Sequence, residues 1–131
     1  MTRSYKGNAM NCHLIYVTTK DKAEARRIGR HLVQNRLAAC ANIFDQMNSM
    51  YIWKDEFQDD QEAVLILKTT ETRLPELIAA VRSLHSYEVP CIVTLPILGG
   101  HPPFLDWIAE QVAPPPGQGS SVPAEGEEIA P

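Results

Sequence analysis

One stretch of low charge, residues 36–53, constrains the fold of this chain more than any other feature. It carries two charged residues, Arg36 and Asp45, whereas 21% of the whole chain is charged. Its large apolar side chains are typical of β-strands, and the polar pairs at 45–46 and 48–49 favour a bend or a hairpin tip. Burial of each large side chain contributes roughly 1.5–3 kcal/mol, and a domain of this size has a small interior. We therefore expect part of this stretch to form a subunit interface.

The charge distribution makes nucleic acid an unexpected partner. The formal net charge is −4, and residues 113–131 contribute −3 of it because they contain Glu125, Glu127 and Glu128 but no Lys or Arg. The remaining residues are nearly neutral and have no basic stripe. Binding to nucleic acid requires several phosphates to be neutralised, so we expect no nucleic-acid partner.

The amino terminus and the cysteines favour a cytoplasmic protein without a membrane partner. Residues 1–11 lack the apolar core of a signal peptide, and we expect them to be flexible. No apolar run approaches membrane-spanning length. Three cysteines, Cys12, Cys40 and Cys91, cannot all pair within one chain, and none has the spacing of a zinc site. Reduced thiols in the cytosol are the simplest interpretation.

The apolar pattern predicts an α+β domain. Strands are predicted at about 12–19, 37–44, 48–56, 62–69 and 91–95, and the continuous apolar core of the fourth indicates a strand covered on both faces. With the helices placed between them, this order indicates a ferredoxin-like split βαβ sandwich, with helices on one face of an antiparallel sheet. Residues 12–112 form the domain, and the Pro- and Gly-rich acidic tail, 113–131, is expected to be disordered.

Three helices have recognisable ends. Asp21 can cap the first helix, over about 22–35, with Glu24 as an acid in its first turn. Thr70 or Thr72 can cap a second helix, which ends before residue 85. Two prolines at 102–103 open a short third helix. The predicted face of this third helix consists of Phe104, Trp107, Ile108 and Val112.

Candidate site residues lie near the end of the second helix and along the strands. A loop position leaves the imidazole of His85 free to coordinate a metal, although it also suits a helix-terminal histidine favoured by the helix dipole. Trp53 and Tyr87 suit a cleft or interface, or structural packing. Lys68 ends an apolar run, so its ammonium must either reach water or find a carboxylate, which Glu62 or Glu88 could provide. Such a pair would form either an anion or small-molecule site in a cleft between subunits or a structural ion pair.

Nucleophilic catalysis has weaker support. A nucleophile needs a base that orients it, and the sequence offers Cys40 or Cys91 with His85 without showing that either pair is formed. Buried free cysteines mostly act as small hydrophobic residues. We therefore expect no enzymatic activity.

Five motifs in one order give the chain a family resemblance that runs from about Leu14 to Val112. They are RLAACANI at 36–43, YIW at 51–53, LKT at 67–69, HSYEVP at 85–90 and FLDW at 104–107. The set resembles the CutA divalent-cation tolerance family. This resemblance implies a homotrimer, in which long bent strands pair across subunits, with an architecture similar to that of PII signalling proteins.

The resemblance also implies divalent-metal tolerance and copper binding. The chain departs from the family pattern at Val17 and Leu84, where bacterial relatives have a cysteine and the first histidine of a pair, and at Cys91, where the family usually has glutamate. We expect His85 and Cys91 to form a metal site in which copper is favoured over other divalent cations, with no cofactor required. A ligand cleft between subunits is expected to contain Cys40, Trp53, Lys68, Tyr87 and Glu88. The alternative is a PII-like signalling adaptor that reports ligand state to a protein partner.

Overall fold

A computed structural model describes residues 11–114 of the chain. The predictions for the terminal segments 1–11 and 113–131 lie outside the described residues, except at Asn11, Ala113 and Pro114. The elements are β1 (Cys12–Thr19), α1 (Lys22–Gln34), β2 (Cys40–Trp53), β3 (Glu56–Thr70), a 3-10 turn (Glu71–Arg73), α2 (Leu74–Leu84), β4 (Ile92–Pro96) and α3 (Pro102–Val112). None of these helices has the length and apolar character needed to cross a membrane.

The strands form one four-stranded antiparallel sheet in the order β2-β3-β1-β4. This arrangement, with three helices, confirms the predicted α+β class and antiparallel sheet. β1 and β3 are the central strands, which explains why both are rich in buried residues, while β2 and β4 are the edges. Edge strands present unpaired backbone groups that another chain can satisfy.

Of the two predictions for residues 45–49, the hairpin tip is wrong and the bend is confirmed. β2 and β3 are two long strands of 14 and 15 residues, and the turn between them consists of Lys54 and Asp55. Both have positive φ, 51° and 67°, which matches the twist of a two-residue hairpin. The register shifts between Phe44 and Met47, and Gln46 has φ of 60°. The polar residues therefore form a β-bulge, which bends the strand without ending it.

Helix α1 begins where the sequence predicts and lies very close to the sheet. Oδ1 of Asp21 accepts a hydrogen bond from the backbone N–H of Glu24 at 2.8 Å, which is the predicted cap. A Cβ atom added at Gly29 would lie 3.1 Å from Cβ of Ala41 and 3.2 Å from Cδ1 of Leu65. The absence of a side chain at Gly29 is therefore what permits this close approach.

The two faces of the sheet differ in how they are covered. On one face, Ile15, Leu65 and Leu67 are fully buried in the main core together with residues of α1 and α2. On the other face, Phe44, Val93 and Leu95 are exposed by 61%, 48% and 50%. Strand register places Val93 beside Tyr16, so this face continues across the sheet. We call it the open face.

Helix α3 buries only part of the predicted face. Ile108 and Val112 are buried as expected, but the third buried position is Leu105. Phe104 and Trp107 are exposed and stack on each other with ring centroids 5.5 Å apart. The buried side chains pack against Cys12 and Ala39 at the end of the sheet. Their i, i+3, i+7 spacing is that of the apolar stripe of an amphipathic helix, and the two aromatic residues lie outside this stripe.

Candidate ligand-binding site

A groove of about 520 Å³ lies between the β2–β3 hairpin and the loop that follows α2. Four aromatic residues line it: Tyr16, Tyr51, Trp53 and Tyr87. Two acids and a thiol also line it: Glu62, Glu88 and Cys91. Tyr16 belongs to the open face, so the groove, which we call the aromatic pocket, adjoins that face.

A hydrogen-bonded pair of side chains, the half-buried Tyr87 and the buried Glu62, forms one wall of the aromatic pocket. The hydroxyl of Tyr87 donates to Oε2 of Glu62 at 2.5 Å, and Glu62 is only 7% exposed. Burial raises the pKa of Tyr87, and the hydrogen bond to Glu62 and its negative charge raise this pKa further. Tyr87 is therefore a neutral hydrogen-bond donor at physiological pH, and it fixes the orientation of the Glu62 carboxylate.

His85 holds the loop in place with both ring nitrogens. Its Nε2 lies 2.8 Å from the carbonyl oxygen of Thr18, and its Nδ1 accepts the backbone N–H of Tyr87 at 3.1 Å. We assign the proton to Nε2, because Nδ1 is an acceptor and Nε2 faces a carbonyl. The side chain is fully buried, and its ring lies 4.7 Å from that of Tyr87. Neither nitrogen has a lone pair directed at solvent.

Glu24 is a second anchor of this loop, and the sequence indicated it only as an acid in the first turn of a helix. Its Oε1 accepts the backbone N–H of Lys20 at 3.0 Å, and its Oε2 accepts that of Ser86 at 2.7 Å. Burial acts to raise the pKa of Glu24, but the hydrogen bonds from Lys20 and Ser86, together with the nearby His85, outweigh it and hold the pKa below its ordinary value. No local pattern predicts the contact with Ser86, which is 62 residues away.

The residues predicted for one cleft separate into two groups. Trp53, Tyr87 and Glu88 line the aromatic pocket, whereas Cys40 borders a separate, shallower groove beside Gly29. Lys68 is paired with Cys40 in the strand register. The members of the predicted cleft are therefore not all neighbours within one subunit.

Within the described residues of one subunit, Lys68 contacts neither Glu62 nor Glu88, the two acids considered as its partners. Its Nζ donates to Oδ1 of Asn42 at 3.0 Å and lies 3.8 Å from Sγ of Cys40. Glu62 lies six residues away on the same strand, and at about 3.3 Å per residue this separates the two by roughly 20 Å.

The residues expected to bind metal do not fit a metal centre within one subunit. Both nitrogens of His85 already have hydrogen-bond partners, and Cys91 is exposed. Between residues 11 and 114, no three side chains of His, Cys, Asp or Glu converge in a way that could hold an ion.

This geometry defines a class: a small α+β protein with a split βαβ sheet, an open apolar sheet face and an aromatic pocket beside it. The chain belongs to the CutA1 family, because the family described as CutA1 divalent ion tolerance protein matches residues 13–111. This confirms the resemblance read from the five motifs.

The region matched by this chain makes up different shares of the individual relatives. Protein CutA of Mus musculus is 36% identical over 108 residues, 82% of this chain and 61% of the mouse protein. The divalent-cation tolerance protein CutA of Thermus thermophilus is 43% identical over 97 residues, 74% of this chain and 94% of that protein. The solved structure of the periplasmic divalent cation tolerance protein CutA from Archaeoglobus fulgidus has a TM-score of 0.75 and 39% identity, covering 77% of this chain and 98% of that one. The chain thus spans about three fifths of the mouse protein.

Proposed function

We propose that this chain is a divalent-cation tolerance protein that assembles as a homotrimer, similar in architecture to PII proteins, and binds a small ligand in clefts between subunits. The observation that carries the proposal is the open face of the sheet, which adjoins the aromatic pocket. The proposed activity is binding without chemical turnover, in the cytoplasm.

The open face and the sheet edges support assembly. Phe44, Val93 and Leu95 are large apolar residues that share one exposed surface, and such contiguous patches are typical of protein interfaces. β2 and β4 are edge strands, and β2 also carries Met50 and Ile52, exposed by 63% and 64%, towards the hairpin end. Pairing with neighbouring subunits would satisfy the edge hydrogen bonds and cover these side chains together.

Sedimentation of a charged variant tests the assembly. We expect the wild-type protein to sediment at three times the chain mass of 14.6 kDa, and Phe44→Glu to sediment as a single folded subunit. The reason is that a carboxylate in an apolar interface loses its hydration, whereas on an exposed strand of a lone subunit it is tolerated. Lys22→Glu, an exposed charge change on α1, is the control and should leave the trimer intact. A wild-type protein that is a folded monomer at micromolar concentration would contradict the proposal.

Copper binding at His85 and Cys91 is the more specific metal function suggested by the sequence. Coordination by His85 would require it to give up its hydrogen bond to Thr18 or to Tyr87. We therefore expect any copper taken up by the reduced protein to bind without His85.

Titration calorimetry with Cu(I) can check this expectation. We expect His85→Gln, which keeps a donor for the Thr18 carbonyl, to bind Cu(I) with wild-type affinity, and Cys91→Ser to bind it more weakly. A tenfold or larger loss of affinity in folded His85→Gln would instead show that His85 is a ligand.

The PII-like adaptor alternative has no supporting observation among residues 11–114, and pull-down with and without metabolites remains its test.

A further inference from the structure

We propose that the aromatic pocket binds an organic ammonium ion. This inference rests on the proposed function, in that it names the ligand class of the same pocket. Three features of the described residues support it: an aromatic lining, a buried carboxylate, and an ammonium group that the chain itself places at the mouth of the pocket.

The lining is rich in aromatic rings whose negative faces attract cations. Tyr16, Tyr51, Trp53 and Tyr87 all border the pocket. The hydroxyl of Tyr51 donates to Oδ2 of Asp60 at 2.8 Å, and that of Tyr87 donates to Glu62. A phenol that donates to a carboxylate has a more electron-rich ring. Rings of this kind hold alkylammonium groups by cation–π attraction.

The charges around the pocket are negative. Glu62 is more than nine-tenths buried, and its Oε1 has no hydrogen-bond partner among the described residues. Glu88 is the second acid, and none of the eleven residues that line the pocket in residues 11–114 is Lys, Arg or His. A buried carboxylate without a counter-cation favours a positively charged ligand over a neutral or anionic one.

The chain's own Lys54 shows which group suits the mouth of the pocket. Its Nζ lies 5.7 Å from the ring centroid of Trp53 and 3.9 Å from Oε1 of Glu88. The side chains of Lys54 and Glu88 are both largely exposed, so this ion pair is weak and can be displaced. An incoming ammonium ion would find the same aromatic ring and the same acid.

The size and walls of the pocket favour an organic cation over a metal ion. A volume of about 520 Å³ is in the range of small-molecule sites. A divalent metal ion needs several oxygen, nitrogen or sulfur donors at about 2.0–2.6 Å, and no three His, Cys, Asp or Glu side chains converge in this way between residues 11 and 114. The alkyl groups of an organic ammonium ion can pack against aromatic walls while its positive charge attracts the Glu62 carboxylate.

Fluorescence titration of the full chain tests this inference. Trp107→Phe leaves Trp53 as the single reporter of the two tryptophans. The probes are tetramethylammonium, its neutral isostere tert-butanol, and acetate as an anion. We expect tetramethylammonium to bind at least about tenfold more tightly than tert-butanol, because cation–π and carboxylate attraction act on it alone.

Glu62→Gln should lose about tenfold in tetramethylammonium affinity, since Gln keeps an acceptor for Tyr87 but no charge. Glu71→Gln, at an exposed acid elsewhere, is the matched control.

The outcomes separate the inference from the proposed function. If tert-butanol or acetate binds as tightly as tetramethylammonium, or if Glu62→Gln leaves its affinity unchanged, the ammonium inference is overturned while the pocket remains a ligand site. If none of the probes binds to a trimeric protein, the ammonium inference also fails. If the wild type is monomeric and still binds tetramethylammonium with the expected preference, the ammonium inference stands and the trimer proposal fails.

Discussion

Replacing Glu24 by Ala is expected to lower the free energy of unfolding by about 2–4 kcal/mol per subunit, because it leaves two partly buried backbone N–H groups without a charged acceptor. These are the N–H groups of Lys20 and Ser86, which the carboxylate of Glu24 joins across 66 residues of chain. The Glu24 side chain is 1% exposed, so its carboxylate makes these two hydrogen bonds shielded from bulk water. Denaturant unfolding at a fixed protein concentration measures the change.

The effect depends on pH in a defined direction. The folded-state pKa of Glu24 lies below its ordinary value of 4.5, so its contribution to stability is fully present above that value. As the pH falls through 4.5 and then through the folded pKa, the contribution is lost. The stability difference between wild type and Glu24→Gln should therefore shrink in acid.

Two comparisons make the Glu24 prediction specific. Glu110→Ala removes an exposed acid and should change stability by less than about 0.5 kcal/mol. Glu24→Ala should also alter the fluorescence of Trp53, because Ser86 positions the loop that borders the aromatic pocket. Wild-type stability in Glu24→Ala, with an unchanged acid transition, would show that the loop is held by other contacts.

Replacing Leu65 by Ala is expected to cost about 2–5 kcal/mol of stability, through lost transfer free energy and the cavity left behind. Leu65 is fully buried in central strand β3, directly beneath Gly29 of α1. The close approach of Gly29 to Ala41 limits how far α1 can move onto the sheet to fill the space. The cost should therefore lie towards the upper end of the range.

Two further variants, Leu98→Ala and Leu65→Val, serve as controls for the stability loss expected in Leu65→Ala. Leu98 is 74% exposed, and Leu98→Ala should cost less than about 0.5 kcal/mol unless it is covered in the trimer. Leu65→Val, which removes less volume, should fall between Leu98→Ala and Leu65→Ala. If Leu65→Ala unfolds at the wild-type denaturant concentration, the helix must be able to move onto the sheet.

Much of the fold could be predicted from local patterns. β1 occupies residues 12–19 as predicted, and α1 follows the cap formed by Asp21. These predictions succeeded because apolar periodicity and capping act over a few residues. The hairpin prediction failed because polar residues at 45–49 are compatible with both a turn and a bulge, and cross-strand pairing with β3 decides between them.

The candidate site was less accessible to sequence reasoning. Trp53, Tyr87 and Glu88 were expected in a cleft between subunits, and within one subunit they line one pocket. The contribution of Tyr16 and Tyr51 was missed, because an aromatic residue in a strand is most often core. For His85 the sequence left two alternatives, a free metal-coordinating imidazole or a helix-terminal histidine. In the structure, the Thr18 carbonyl and the Tyr87 backbone N–H use both ring nitrogens.

The sequence by itself determined β1, the three helices, the antiparallel α+β class and the family, since these depend on residue spacing along the chain. Only the tertiary structure decided the register of the sheet and the side chains that converge on the aromatic pocket. The reason is that contacts such as Tyr87 with Glu62 and Ser86 with Glu24 join residues 25 and 62 positions apart. Such contacts exist only once the strands have paired and the helices have packed on them.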